Sequence, residues 1–200
     1  MISMAEIVRE PKQKRSIEKK ERIIKAGYKL FAEKGYFNTN TAEIAKEAGV
    51  STGIVYGYFR DKRDILLEAM DIYLNNVFTP ILSLLDDVTT PDFPFILSRA
   101  IEHAVNVHRT NAAMHTTLHS LFSKDEIVDA RFSALEEEMT KKLSAKLVDL
   151  GYKGEHLFEK VHTVIMVVQS FAHEEVYDHH DYIDYAEMRK IVLDMLLRLF

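Results

Sequence analysis

Apolar residues recur at three- and four-residue intervals along most of the chain, the period of helices with one buried face. The first stripe covers 16–34. Ile17, Ile24, Tyr28 and Phe31 lie in line, and Ile23, Gly27 and Leu30 widen it. Gly35 is placed to end that helix. A later helix has Asp61 as its N-cap and Asp64 in its first turn. It carries Ile65, Leu66, Ala69, Met70, Ile72, Tyr73 and Val77, and Pro80 is expected to end or kink it. After a polar, Pro-bearing loop at 86–94, helices are expected over 95–109 and 112–122, split at Thr110-Asn111. A long amphipathic helix follows over 125–150 (Ile127, Phe132, Leu135, Met139, Leu143, Leu147), with Gly151 beyond its end. Residues 155–173 are apolar on most sides. An acidic loop rich in His and Tyr then leads to a last helix over 185–199. No segment alternates with the period of a strand, and no internal repeat is seen. With two short helices between 40 and 60, the pattern predicts an all-α chain of about nine helices.

Those short helices carry the tightest signal. Asn40 is a good N-cap, and Glu43 three residues on completes a capping-box pattern. Ile44, Ala45 and Ala48 form one apolar face. Gly49 stands where a left-handed residue stops the helix, and Val50 can plug the corner. Ser51 then caps a second helix, expected over 52–59. Its Val55 and Phe59 face inward, leaving Thr52, Gly53, Tyr56 and Tyr58 for a partner surface. A small residue at the crossing, a Gly in the turn and a branched residue behind it make a helix-turn-helix pattern. The triple Ala45, Gly49, Val55 alone would also suit an ordinary helical hairpin. The helix over 16–34 is the third wall that two short helices need to bury their inner faces.

Charge sharpens the picture. The net charge is −5, but through Arg63 there are 14 Lys and Arg against 8 Asp and Glu (+6), and beyond it 12 against 23 (−11). One end attracts phosphates and the other does not. Arg9, Lys12, Lys14 and Arg15 make residues 1–15 a basic arm, expected to be flexible: either a solvated leader or an arm reaching a groove. There is no cysteine, which excludes disulfides, zinc–thiolate sites and Cys catalysis, and suits a cytoplasmic protein. The longest apolar run, 164–168, falls far short of the ~18 residues of a membrane span, and the N-terminus lacks the apolar segment of a signal peptide.

The flanks decide between hairpin and helix-turn-helix. Gly35-Tyr36, Thr39, Ile44-Ala45, Ala48-Gly49-Val50-Ser51, Gly53, Tyr56, Tyr58-Phe59 and Lys62 together closely resemble the DNA-binding domain of the tetracycline-repressor (TetR) family. The resemblance covers about 17–67. It implies a DNA-binding domain over 16–62 and a divergent helical ligand-binding and dimerisation domain over 63–200. It implies a transcriptional regulator, a repressor released by a small molecule, and not an enzyme. By the family pattern Thr41 meets a phosphate at a helix N-terminus, Tyr56, Tyr58 and Lys62 match phosphate-contacting positions, and Thr52 and Gly53 meet base edges. Two positions depart from the pattern: Ile54 replaces a small polar residue, and Gly57 removes a side chain that could grip DNA. The implied partners are double-stranded operator DNA, a small hydrophobic or aromatic ligand, and a second copy of the chain. No membrane and no cofactor are implied.

The remaining chemistry is sparser. Met70, Tyr73, His103, Val107, Met114, Leu118, Phe122, Met139, Met166, Gln169 and His173 suit an apolar pocket with a few polar anchors, Gln169 above all, because a buried amide needs partners. Each also suits an ordinary core. His115 and His119 share the i, i+4 spacing of metal ligands but lack the HExxH glutamate, and His179-His180-Asp181 has no further ligand set, so no metal site is expected. No Ser-His-Asp order or phosphate-binding Gly loop is present. The last two helices are too apolar for one copy to cover and are expected to pair across a dimer. A DNA-binding protein without a ligand, and a His-based metal protein, are the alternatives.

Overall fold

The computed structural model describes residues 14–86, 88–122 and 124–200. Among them are nine helices and no strand: α1 Lys14–Lys34, α2 Thr41–Glu47, α3 Thr52–Tyr56, α4 Lys62–Asp86, α5 Phe93–Thr110, α6 Ala112–Phe122, α7 Glu126–Asp149, α8 Leu157–Val176 and α9 Tyr185–Leu197. The expected arm largely falls outside the described residues, but Lys14 and Arg15 belong to α1, which starts earlier than the apolar stripe.

The chain divides into two compact units. The first holds the described residues up to Tyr73 together with Ala112–Arg131; the second holds Leu74–Asn111 and Phe132–Phe200. This division differs from a break at 62/63, because α6 and the start of α7 pack with α1 and α4. In the first unit Ile23, Phe31, Ile44, Val55, Ile65, Leu66, Ala69 and Met70 are fully buried. Gly27 lets α1 and α4 approach closely: a Cβ there would stand 2.4 Å from Ile65 Cγ2. Ion pairs bind the rim. Arg63 meets Asp125 at 3.3 Å, and Arg131 holds both oxygens of Asp71 at 2.6 and 2.8 Å.

The core of the second unit is a layer of α5, α8 and α9: Leu97, Ile101, Ala104 and Val105 against Val168, Phe171 and Ala172, closed by Tyr185, Val192 and Leu196. Phe93 and Phe200 stack at 4.1 Å at one end. At the other, the buried carboxylate of Glu175 is held by Arg109 (2.8 Å) and Arg189 (2.9 Å). The Tyr177 hydroxyl donates to the His108 carbonyl at 2.6 Å, and burial pushes that phenol up to about 12.

Pro80 does not end α4, which runs on to Asp86 and buries Leu85. A proline removes one N–H and leaves the carbonyl four residues earlier without its donor. That carbonyl is Asn76, and His103 Nε2 donates to it at 3.1 Å. An imidazole from α5 thus repairs the break, and this fixes the ring's proton on Nε2. Averaged over 18 residues α4 also reaches a mean hydropathy of 1.2, long and apolar enough to cross a membrane, although no uninterrupted apolar run is that long. Its buried face in the two units accounts for much of this apolarity.

Candidate nucleic-acid interface

The local signals fold as read. Asn40 Oδ1 accepts from the Glu43 N–H (3.0 Å), and Glu43 Oε2 accepts from the Asn40 N–H (3.2 Å). Lys34 also donates to Glu43 at 2.9 Å. That ammonium first, and the Asn40 N–H with it, hold the carboxyl below the usual range. Gly35 and Gly49 take the left-handed backbone that ends α1 and α2, at φ +78° and +64°. Ser51 Oγ accepts from the Ile54 N–H, and Val55 and Phe59 are buried beneath α3.

The second helix of the motif is shorter than expected. It stops at Tyr56 rather than 59, with Gly57 as its C-cap at φ −71°. Glycine has a weak helix propensity, and the N–H groups of Tyr58 and Phe59 both converge on the Val55 carbonyl in a tighter turn. On the outer side Gly53, Tyr56 and Gly57 are exposed, and Thr52 and Tyr58 are half-buried beside them. Thr41 is half-buried at the start of α2. Tyr58 is tied back to α1, its hydroxyl 2.7 Å from Ser16 Oγ.

Lys62 is turned inward. Its Nζ donates to the carbonyls of Tyr36 (2.8 Å) and Thr39 (2.9 Å) and lies 4.3 Å from the centre of the Tyr36 ring. Burial pushes its pKa down. The ammonium expected to meet a phosphate is instead engaged with backbone oxygens of the loop between α1 and α2. The same loop is held from α6, where Thr117 Oγ1 accepts from the Tyr36 N–H at 3.1 Å. Ser16 and Thr117 carried no signal in the sequence; Tyr36 stood only within the Gly35-Tyr36 pair.

The pocket candidates divide between the units. Met70, Tyr73, Met114, Leu118 and Phe122 belong to the first, where the first four are buried in its core. In the second, His103 and Gln169 line one apolar cavity with Val77, Phe78, Leu143, Val164 and Val168. An adjoining cavity shares Ile81, Ala100, Leu143, Val164 and Ile165 with it. Each measures about 60 Å³. Val107 and Met139 are buried without lining either, and His173 Nε2 lies 3.3 Å from an Asp178 carboxylate oxygen. Met166 is 56% exposed, on the outward face of α8, because the apolar coat of that helix extends beyond the part that α5 and α9 cover.

Residues 23–69 match the family described as bacterial regulatory proteins, tetR family. The N-terminal head is similar to the DNA-binding heads of the TetR family. The HTH-type transcriptional regulator HbdR of Aromatoleum sp. (strain CIB) is 39% identical to this chain over 89 residues, 44% of the chain and 38% of HbdR. The chain thus matches well under half the length of that relative. Beyond the N-terminal head the likeness is one of shape. A candidate TetR-family regulator from Mesorhizobium loti superposes over 94% of this chain and 97% of its own, with a TM-score of 0.71 at 19% identity. The regulator FadR of Bacillus subtilis, solved in complex with stearoyl-CoA, covers 90% of this chain and 98% of its own, with a TM-score of 0.66 at 19% identity. These likenesses show the fold.

Proposed function

We propose that this chain is a homodimeric, sequence-specific DNA-binding regulator of transcription, a repressor released from its operator by a small hydrophobic ligand. The observation that carries the reading is the outer face of α3. Gly53, Tyr56 and Gly57 stand open over a buried Val55 and Phe59, on the one part of the chain with a basic balance. Two such helices, one per subunit, would enter successive major grooves about 34–36 Å apart. Gly53 lets the backbone approach base edges beside the Thr52 hydroxyl, Tyr56 and Tyr58 offer hydroxyls to phosphates, and Thr41 offers one at the start of α2. Lys62 serves as a brace of the head rather than as a phosphate ligand.

Phe158, Met166, Ile191 and Met195 on α8 and α9 are 40–63% exposed, an apolar surface suited to the same helices of a second copy. The cavities beside α4 suit the body of an apolar ligand, with His103 and Gln169 as polar anchors. That FadR, similar in fold, holds stearoyl-CoA supports an aliphatic chain as one candidate. Pockets for such ligands are roughly 300–1,000 Å³, so binding must widen the seam. In sequence α4 leads straight from the cavity to the head, and a change of several ångströms in head spacing is enough to lose one half-site.

The test is a titration of random duplex, and of an operator selected from a random pool, at several salt concentrations. A dimer whose affinity falls steeply with salt is expected, and Tyr56→Ala should weaken both complexes by about 1 kcal/mol. A stable monomer, or no binding in dilute buffer, overturns the proposal.

A further inference from the structure

We propose that Thr117 is a positioning residue for the DNA-contacting face: one hydrogen bond from α6 sets the loop that delivers α2. The proposal rests on the DNA-binding reading above. Residues 35–39 belong to no helix, and beyond the backbone bonds from Gly35 to Phe31 and from Thr39 to Tyr36 the loop is held by side chains. Three bonds do this from two directions. The Tyr36 N–H, two residues beyond the end of α1, goes to Thr117 Oγ1 at 3.1 Å. The Tyr36 and Thr39 carbonyls go to Lys62 Nζ at 2.8 and 2.9 Å. Thr39 Oγ1 closes the loop internally on the Gly35 carbonyl at 3.0 Å.

Thr117 and Thr39 are only 4% and 2% exposed, so water offers the loop little substitute for these partners. Asn40, the cap of α2, follows at once, and Thr41 follows Asn40. A displacement of α6 along its axis is therefore a displacement of Tyr36, and four residues later of the α2 N-terminus. The coupling is reciprocal: DNA that fixes α2 also fixes α6. Nothing in the spacing of the chain announces this contact, since its partners are 81 residues apart.

The test uses the full chain with Thr117→Val, which keeps the shape and removes the acceptor, and Thr117→Ser, which keeps the acceptor. Amide hydrogen exchange without DNA should show the Tyr36 N–H losing protection in Thr117→Val and regaining it in Thr117→Ser. Affinity for the selected operator should fall about tenfold in Thr117→Val, while affinity for random duplex, which is set by charge, stays within about threefold. Thr117→Ser should restore the ratio. If Thr117→Val does not fold, Thr117→Ala removes the same acceptor without changing the charge and should give the same split. Retained Tyr36 protection in Thr117→Val overturns the bond. Lost protection with an unchanged operator-to-random ratio overturns the positioning role. A wild type that ignores all duplex DNA overturns the functional reading and the positioning role with it, while the exchange data still decide whether the loop is held by Thr117.

Discussion

The first unit spends its polar groups on backbone geometry. A reciprocal cap opens α2, a hydroxyl opens α3, a lysine and a threonine grip the loop between α1 and α2, and two arginines tie α4 to the start of α7. Its core is filled to the point that one glycine is needed where α1 meets α4. The second unit relies on an apolar layer of α5, α8 and α9, and keeps an unfilled seam beside the one helix that a proline has deprived of a hydrogen bond. The contrast separates a part whose shape is over-determined from a part with slack, and the slack lies where α4 is weakest. The proposed function, a reader of DNA with a receptor for a ligand, would need that division.

Core truncation should expose the contrast most strongly. Phe31 is wholly buried in the first unit, and Phe31→Ala should cost about 3–5 kcal/mol because the packed surroundings cannot collapse onto the void. Leu143 already borders both cavities, and Leu143→Ala should cost only about 2 kcal/mol, the low end for such changes. Urea unfolding followed by hydrogen exchange in each unit measures both. Equal costs would break the comparison.

The sequence disclosed what is local. Asn40 with Glu43, Gly35, Gly49, Gly151, Ser51 and Asp61 all act where their neighbours along the chain said they would, since caps and left-handed turns are decided within four residues. Legibility failed where the deciding partner is distant. Pro80 argues locally for an end, and only His103 on α5 explains why α4 continues. Lys62 matches a phosphate-contacting position by resemblance, and only Tyr36 and Thr39 behind it show that its ammonium is turned inward. Met166 and Ile165 look alike in a helix apolar on most sides, and only the packing of α5 and α9 against α8 decides that one faces out and the other in. The α3 face was legible because its buried side was.

The repaired break in α4 gives the next test. His103→Leu leaves the Asn76 carbonyl without the imidazole and should cost about 1–3 kcal/mol. Pro80→Ala restores the helix's own donor to that carbonyl. In the Pro80→Ala background the same His103→Leu change should therefore cost clearly less, leaving a coupling of about 1 kcal/mol in a double-mutant cycle. Strict additivity would show that His103 merely packs. Because Nε2 donates whether the ring is neutral or charged, this bond should survive acidification to pH 5, which distinguishes it from a pH switch.

Acid should touch the first unit by a different and smaller route. The Arg60 guanidinium and backbone N–H, both bonded to Asp64, hold its carboxyl below the ordinary value of 3.8. A carboxyl whose folded value is depressed binds its proton more readily when unfolded. Its contribution is therefore complete above about pH 4 and is lost as pH falls through the lower, folded value. Arg60 is 69% exposed, so solvent screening keeps that contribution to about 1 kcal/mol or less. Asp64→Asn should remove it at neutral pH and flatten the first unit's stability curve between pH 4 and pH 2, while exchange in the α5–α8–α9 layer stays unchanged over the same range. A variant that follows the wild-type acid curve would show that Arg60 and Asp64 are only surface neighbours. It would also leave the rigidity of the head to its buried grips on the 35–39 loop and its packed core.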